Sequence, residues 1–214
     1  MGVADLGPFK AGETRLPPLA FERFTKAVSV AVHLDDAVVE SIEEAPTPLY
    51  AQHYRTINAT LDRLTARLVI WITAHGFSAF CIPASRIVDE SNQLGSISHK
   101  AVARLAGIGW QGKSLLIVSP QFGPRIRLST VLTDMPLSSD KVMKNRCGTC
   151  DECTKACPAS AIKNIRTEDR YANREDALHF SRCVEQTRRF KARLGIEAQI
   201  CGVCIRACPF GRRT

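Results

Sequence analysis

The stretch CGTCDECTKACP, residues 147–158, sets Cys147, Cys150, Cys153 and Cys157 at the spacing C-x2-C-x2-C-x3-C, with Pro158 directly after the fourth. Such short spacings gather thiols from one loop. A run of this form ending in C-P is the bacterial ferredoxin pattern, in which three thiolates wrap one 4Fe-4S cluster and the fourth reaches another. A second run, CGVCIRACP at 201–209, repeats the last part of it with Cys201, Cys204 and Cys208. Its missing first member is assigned to Cys183. The two-cluster rule then allots Cys147, Cys150, Cys153 and Cys208 to one cluster and Cys157, Cys183, Cys201 and Cys204 to the other. Two structural zinc sites are the alternative, although zinc motifs usually come as separated C-x2-C pairs. Cys81 fits neither run and reads as a small buried hydrophobe on a short strand.

Composition points the same way. Nine cysteines in 214 residues fall below the roughly 8–10% of disulfide scaffolds, and an odd number cannot all pair internally. Eight of them crowd between Cys147 and Cys208, which favours metal ligation in a reducing compartment. The longest apolar run, Leu68 to Ala74, is too short to span a bilayer, and no basic segment followed by an apolar stretch opens the chain. A cytoplasmic protein with no membrane partner is expected. The net charge of +8 is unevenly spread: residues 1–140 hold 13 basic and 13 acidic side chains, residues 141–214 hold 16 and 8. Two clusters of about two negative charges each would cancel roughly half of that excess. The remainder is a solvated face or a docking surface for RNA or an acidic protein.

Upstream of the cysteines, the pattern is mixed. KAVSVAVHL at 26–34 reads as a buried strand. Thr47 caps and Pro48 begins a long amphipathic helix, with apolar residues at Leu49, Tyr50, Tyr54, Ile57, Leu61, Leu64, Leu68 and Ile72, stopped by Gly76. A short strand over Phe77–Ile82 and a polar loop over Asp89–Ser96 follow. Ser98 caps a second helix, His99–Ala106, ending at Gly107. SLLIV at 114–118 and RIRLSTVLT at 125–133 are expected to pair as an antiparallel hairpin. Residues 135–145 read as a linker. The expected organisation is an α+β layer domain over residues 1–140, followed by a cysteine module over 141–214.

Gly107 to Ser114, GIGWQGKS, satisfies both the Walker A and the dinucleotide glycine patterns. Either would cradle phosphate only between a preceding strand and a following helix, and here the order is reversed. The stretch reads instead as a tight turn whose glycines admit close approach, with Trp110 offering a flat apolar face. Of the loop acids, Asp89 or Glu90 is the candidate proton donor for a reduction, against the plainer reading of a solvated carboxylate. Asp134 reads as a cap for the turn before Pro136. The five histidines show no ligand spacing. His99 stands beside the glycine turn, facing either a cofactor or solvent.

The segment SHKAVARLAGIGWQGKSLLIVSPQFGPRIRLSTVLTDMPL, residues 98–137, followed by CGTCDECTKACPASAI, resembles the epoxyqueuosine reductase family in its helix, its G-x-G-W-x-G-K turn and its T-D-x-P-L exit. Cys183 and CGVCIRACPFG fall where that family places its remaining cluster ligands. VSVAVHL and the helix around His53, Tyr54 and Arg55 are similar, more loosely, to its early strand and first long helix. The resemblance implies a nitroreductase-like, cobalamin-binding domain, shared in outline with reductive dehalogenases, followed by a ferredoxin-like module with two 4Fe-4S clusters. It nominates Tyr54, His99, Gly107, Gly109, Trp110, Gly112 and Lys113 as cofactor contacts. Two departures stand out. The sequence stops at Thr214, six residues after Cys208, and a short form without the family's C-terminal helical repeats is expected. The family's acid, in a V-D-S-A-P-V type segment, has its nearest counterpart in Asp89, about four residues too far upstream.

The function expected is an iron-sulfur oxidoreductase passing electrons from an external donor, such as a ferredoxin or flavodoxin, to a corrinoid or other reducible substrate. A corrinoid protein and tRNA are the further partners that the resemblance implies. The alternative is an electron-transfer protein serving a protein partner without a corrinoid. About 140 residues beyond a bare ferredoxin module demand a role, and that role distinguishes the two.

Overall fold

Strand-forming valines set the centre of the first unit. The computed structural model describes residues 1–9 and 14–212. Strand β1 (Gly2–Asp5) runs antiparallel to β2 (Lys26–His33), with Gly2 opposite Ser29 and Asp5 opposite Lys26. A single turn, α1 (Pro18–Phe21), lies between them in sequence. After β2 come α2 (Asp36–Glu40), capped by the Asp35 carboxylate accepting from Val38 N at 3.1 Å, and the long α3 (Pro48–Ala74). Strand β3 (Ala79–Ile82), α4 (His99–Leu105), the short β4 (Trp110–Gln111) and β5 (Ile117–Val118), and β6 (Ile126–Thr133) follow. The cysteine-rich segment adds α5 (Glu152–Lys155), α6 (Arg174–Ala177), α7 (Phe180–Leu194) and α8 (Val203–Ala207).

The main sheet has the order β1-β2-β6-β3. Side chains alternate across it, so each strand feeds two cores. On one face Ala4, Ala27, Ile82 and Leu132 pack with Val102, Leu105 and Ala106 of and just after α4. On the other Val28, Val30 and Val131 pack with Leu61 and Ile72 of α3. Burial on both faces is why β2 carries the apolar run Ala27–Val32 broken only by Ser29, and why the polar Ser129, Thr130 and Thr133 of β6 are buried as well. Each fully buried aliphatic side chain contributes roughly 1.5–3 kcal/mol, so α3 is held by its packed face more than by helix propensity.

The termini of α3 are those the residues dictate: Thr47 Oγ1 accepts from Tyr50 N at 3.1 Å, and Gly76 takes φ +84° just after the last turn. Its buried face differs by one position from the apolar pattern. Thr65 is 1% exposed while Leu64 is 43% exposed, because the helix turns 61, 65, 68 and 72 toward the sheet. Thr65 satisfies its hydroxyl by donating to Leu61 O at 2.9 Å.

The expected hairpin between 114–118 and 125–133 does not form. Gly112 N donates to Leu116 O at 2.8 Å and Leu115 adopts φ +63°, folding Trp110–Val118 into its own hairpin with Trp110 opposite Val118. Strand β6 pairs instead with β3, Ile82 opposite Thr130, and neighbours β2.

Packing also groups the chain otherwise than as 1–140 and 141–214. One compact unit comprises 1–32, 57–109 and 127–143; the other comprises 33–56, 110–126 and 144–214. The cysteine-rich segment therefore shares its unit with α2, the first turns of α3 and the β4-β5 hairpin. Arg125, 1% exposed by its side chain, binds Asp36 at 3.1 Å and Glu40 at 2.5 Å within it. Among the described residues no helix is long and apolar enough to cross a membrane.

Candidate metal centre

The loop before α5 is shaped by short-range hydrogen bonds. Asn145 Oδ1 accepts from Cys147 N at 2.8 Å while its amide donates to Gln111 O at 2.8 Å. Gly148 takes φ +52°, and Cys150 N donates to Cys147 O at 3.1 Å. Cys153 lies on the single turn of α5, and Cys157 just beyond it. Cys183 sits in the first turn of α7, whose end is closed by Gly195 at φ +61° with Lys191 and Arg193 in the last turn. Gly202, at φ +88°, caps α8, so that Cys201 precedes, Cys204 lies within and Cys208 follows that helix. Cys208 is extended, as the residue before Pro209 prefers.

A small, partly open cavity is lined by Cys147, Cys150, Cys153 and Cys208, together with Gly112, Lys113, Ser114, Val118, Pro209 and Phe210. Two distant loops thus contribute thiols to one space. A Cβ at Gly112 would lie 2.8 Å from Val118 Cγ2 and 3.5 Å from Cys147 Sγ, so only glycine fits there without displacement. Lys113, 5% exposed, donates from Nζ to Cys150 O at 2.7 Å and to Asn164 Oδ1 at 2.9 Å. Trp110, 1% exposed, stands edge-on to Phe210 with ring centroids 4.9 Å apart, and the Arg146 guanidinium lies over both rings at 5.6 Å.

Burial pushes the Cys208 thiol up to about 12, reinforced by Cys147, Cys153 and Cys150; Cys153 is raised by burial and then by Cys147 and Cys150. Burial likewise raises Cys201 to about 11, with Cys183 and Cys157 adding to it. Cys204 is raised well above the usual thiol range by burial, then by Cys201, Cys183, Cys153 and Cys157. The sulfurs that act on one another thus form two groups, with Cys153 and Cys204 linking them. Cys153, Cys157 and Cys204 all pack on the buried residues Leu115, Ile162, Tyr171, Ala177 and Leu178. Ala161 N donates to Cys157 Sγ at 3.4 Å, an amide aimed at a sulfur as a thiolate ligand requires. No disulfide joins any of the nine cysteines, and among the described residues no three His, Cys, Asp or Glu converge as they would round a single ion. Thiolates at the corners of an iron-sulfur cube need no such convergence. This donor set of half-buried thiols and backbone amides fits two such cubes.

The other nominated residues lie elsewhere. His99 uses both ring nitrogens, Nδ1 with Thr130 Oγ1 at 2.8 Å and Nε2 with Pro83 O at 3.1 Å, and burial pushes it down to about 4. Gly107, at φ +63°, meets Lys141 O, and Gly109 is buried. Asp89 accepts from Asn92 N at 3.0 Å and from its side-chain amide at 2.9 Å; these bonds hold its carboxyl below the usual range. Asp134 accepts from Ser78 N at 2.7 Å and so ties β6 to the start of β3. These residues all belong to the first compact unit, whereas Tyr54, half-buried on α3, belongs to the second.

Sequence reasoning missed the second line of residues around the cavity: Asn145, Asn164, Arg146, Phe210 and Tyr171. Tyr171, raised to about 12 by burial and then by Cys147 and Cys153, donates its hydroxyl to Ile165 O at 2.5 Å. Its one visible signal was an aromatic residue in an otherwise polar segment, 166–176.

Residues 146–211 match the family model described as a 4Fe-4S double cluster binding domain. Among curated proteins the chain is similar to the epoxyqueuosine reductase of Listeria monocytogenes, 40% identical over 68 residues, covering 32% of this chain and 18% of that protein. It is also similar to that of Synechococcus sp., 26% identical over 220 residues, covering 99% of this chain and 63% of that protein. The chain therefore spans less than two thirds of the length of these relatives. Its fold resembles a solved reductive dehalogenase, described in terms of B12-dependent dehalogenation, with a TM-score of 0.70 at 18% identity over 99% of this chain and 29% of that one. It also resembles an epoxyqueuosine reductase solved with a tRNA-Tyr epoxyqueuosine-modified stem loop, with a TM-score of 0.59 at 21% identity over 95% and 53% of the two chains. At these identities the likeness is one of fold.

Proposed function

We propose that the chain is an iron-sulfur reductase of the epoxyqueuosine reductase type, which relays single electrons from an external donor through two 4Fe-4S clusters to a reducible acceptor. The observation that carries this reading is the cavity closed by Cys147, Cys150, Cys153 and Cys208, with the remaining quartet gathered around buried Cys204. The clusters supply one-electron chemistry; the chain supplies eight half-buried thiols, amides directed at sulfur, and apolar packing beside them. A ferredoxin or flavodoxin is the class of donor, in the cytoplasm.

The acceptor we propose is a corrinoid in a nitroreductase-like fold, supported by the likeness to a reductive dehalogenase described as B12-dependent. Several of the residues nominated from sequence are engaged in other contacts. Trp110 is covered by Phe210 and Arg146, Gly112 and Lys113 serve the cysteine cavity, and His99 has both nitrogens bonded. Asp89, as a proton donor, would first have to leave the turn in which Asn92 keeps it ionised. A tRNA substrate is supported by the likeness to an epoxyqueuosine reductase solved with a tRNA-Tyr stem loop and by the basic excess of residues 141–214.

Anaerobic reconstitution should yield about eight iron and eight sulfide per chain. Cobalamin titrated into that protein should shift the corrinoid spectrum. Two zinc ions without sulfide would overturn the reductase reading. Full clusters with an unshifted corrinoid at high micromolar concentration would leave an electron carrier for a protein partner.

A further inference from the structure

Several cations in the cysteine-bearing unit are opposed by carboxylates. Arg125 binds Asp36 and Glu40, Arg206 faces Glu40 at 3.4 Å, and Lys155 binds Asp151 at 2.8 Å. Lys113 is different. It is buried, it lines the cavity of Cys147, Cys150, Cys153 and Cys208, and both of its hydrogen-bond partners, Cys150 O and Asn164 Oδ1, are neutral oxygens. A carboxylate that acts with it, Asp151, is already engaged by Lys155 at 2.8 Å. A buried ammonium whose hydrogen bonds go only to neutral oxygens is costly, and an anion in the adjoining cavity would relieve it. A 4Fe-4S cube on four thiolates is such an anion, and it gains one more negative charge on reduction.

The other quartet meets apolar surroundings at two of its cysteines: Cys157 and Cys204 pack on Leu115, Ile162, Tyr171, Ala177 and Leu178, a group that only Cys153 of the Lys113 quartet also touches. Apolar walls disfavour added charge.

We infer that Lys113 is a positioning residue for electrons: its ammonium raises the reduction potential of the cluster on Cys147, Cys150, Cys153 and Cys208 above that of the cluster on Cys157, Cys183, Cys201 and Cys204. The inference rests on the two-cluster reading. A low-potential one-electron donor then fills the Lys113 cluster first; each cluster takes one electron, and no bond forms or breaks. The second cluster is reduced only under a stronger driving force, so the electron rests beside Lys113 between turnovers.

The test is an anaerobic redox titration of the reconstituted full chain, followed by electron paramagnetic resonance, with Lys113→Met and Asn164→Asp. The first variant removes the cation. The second keeps it but sets a carboxylate where the Asn164 oxygen now accepts from Nζ, at a position of φ +59° that Asp also tolerates. Each variant should shift the higher of the two waves to more negative potential by at least a tenfold change in its reduction equilibrium, about 59 mV for one electron. The lower wave should stay in place. Variants that carry their full iron and sulfide and show neither wave displaced, or both displaced equally, overturn the role of Lys113. A wild-type chain without two clusters would overturn the reading beneath it instead, and iron and sulfide analysis separates the two outcomes.

Discussion

Gly202→Ala tests how tightly the second quartet is built. Gly202 lies between Cys201 and Val203 at φ +88°, and a Cβ there would stand 2.6 Å from Ile42 Cδ1 and 2.8 Å from Tyr50 Cε1. Ile42 and Tyr50 are themselves buried, so neither swings into solvent to make room. The left-handed backbone costs a non-glycine residue about 1–2 kcal/mol. Overpacking adds about 1–3 kcal/mol, for a loss of roughly 2–5 kcal/mol. In a chain of this size that lowers the apparent Tm by roughly 4–20 °C. Gly148→Ala is the matched control: it also neighbours a cluster cysteine and has φ +52°, but nothing lies within 4 Å of its Cβ. Only the backbone cost applies there, roughly 2–8 °C. Thermal unfolding of the cluster-loaded proteins, followed anaerobically by circular dichroism, compares them. Equal losses in the two variants would refute the packing argument, because backbone strain alone would then account for both.

Cys183→Ser should abolish the cluster shared with Cys157, Cys201 and Cys204 and leave the other, halving iron and sulfide; two intact clusters would show that Cys183 is not a ligand. The pH dependence of the cluster-free protein follows from its raised thiols. A thiol whose folded value lies above its unfolded value of roughly 8.5 stabilises the fold fully below that pH. The contribution is lost as pH climbs toward about 11 for Cys201 and about 12 for Cys208. Denaturant midpoints should therefore fall between roughly pH 9 and 12, by less when Cys201 and Cys208 are both replaced by Ala. Midpoints flat over that range would contradict the burial of these thiols.

Local chemistry was legible in the residues. Thr47 and Pro48 start α3, Gly76 follows its end, Ser98 caps α4 by accepting from Ala101 N at 3.2 Å, and valine-rich 26–33 forms a strand. Each depends on neighbours within a few positions, where backbone geometry leaves few choices. The pairing of β6 was not legible, because 126–133 looks equally suited to any partner and the competition is settled far along the chain, by β2 and β3. Thr65 in place of Leu64 escaped for a related reason: the helical angle facing the sheet is set by the sheet.

At the cysteine site the same division holds. Spacing within 147–158 and 201–209 was legible by itself as a ligand-loop pattern, since three-residue steps bring thiols together whatever else the chain does. It said nothing of Lys113 and Asn164, 51 positions apart and 2.9 Å from contact to contact, nor of Tyr50 beneath Gly202. Those contacts belong to tertiary structure alone, because the energy of a buried charge or a close glycine contact is decided by what packs around it, and packing joins residues that sequence keeps distant.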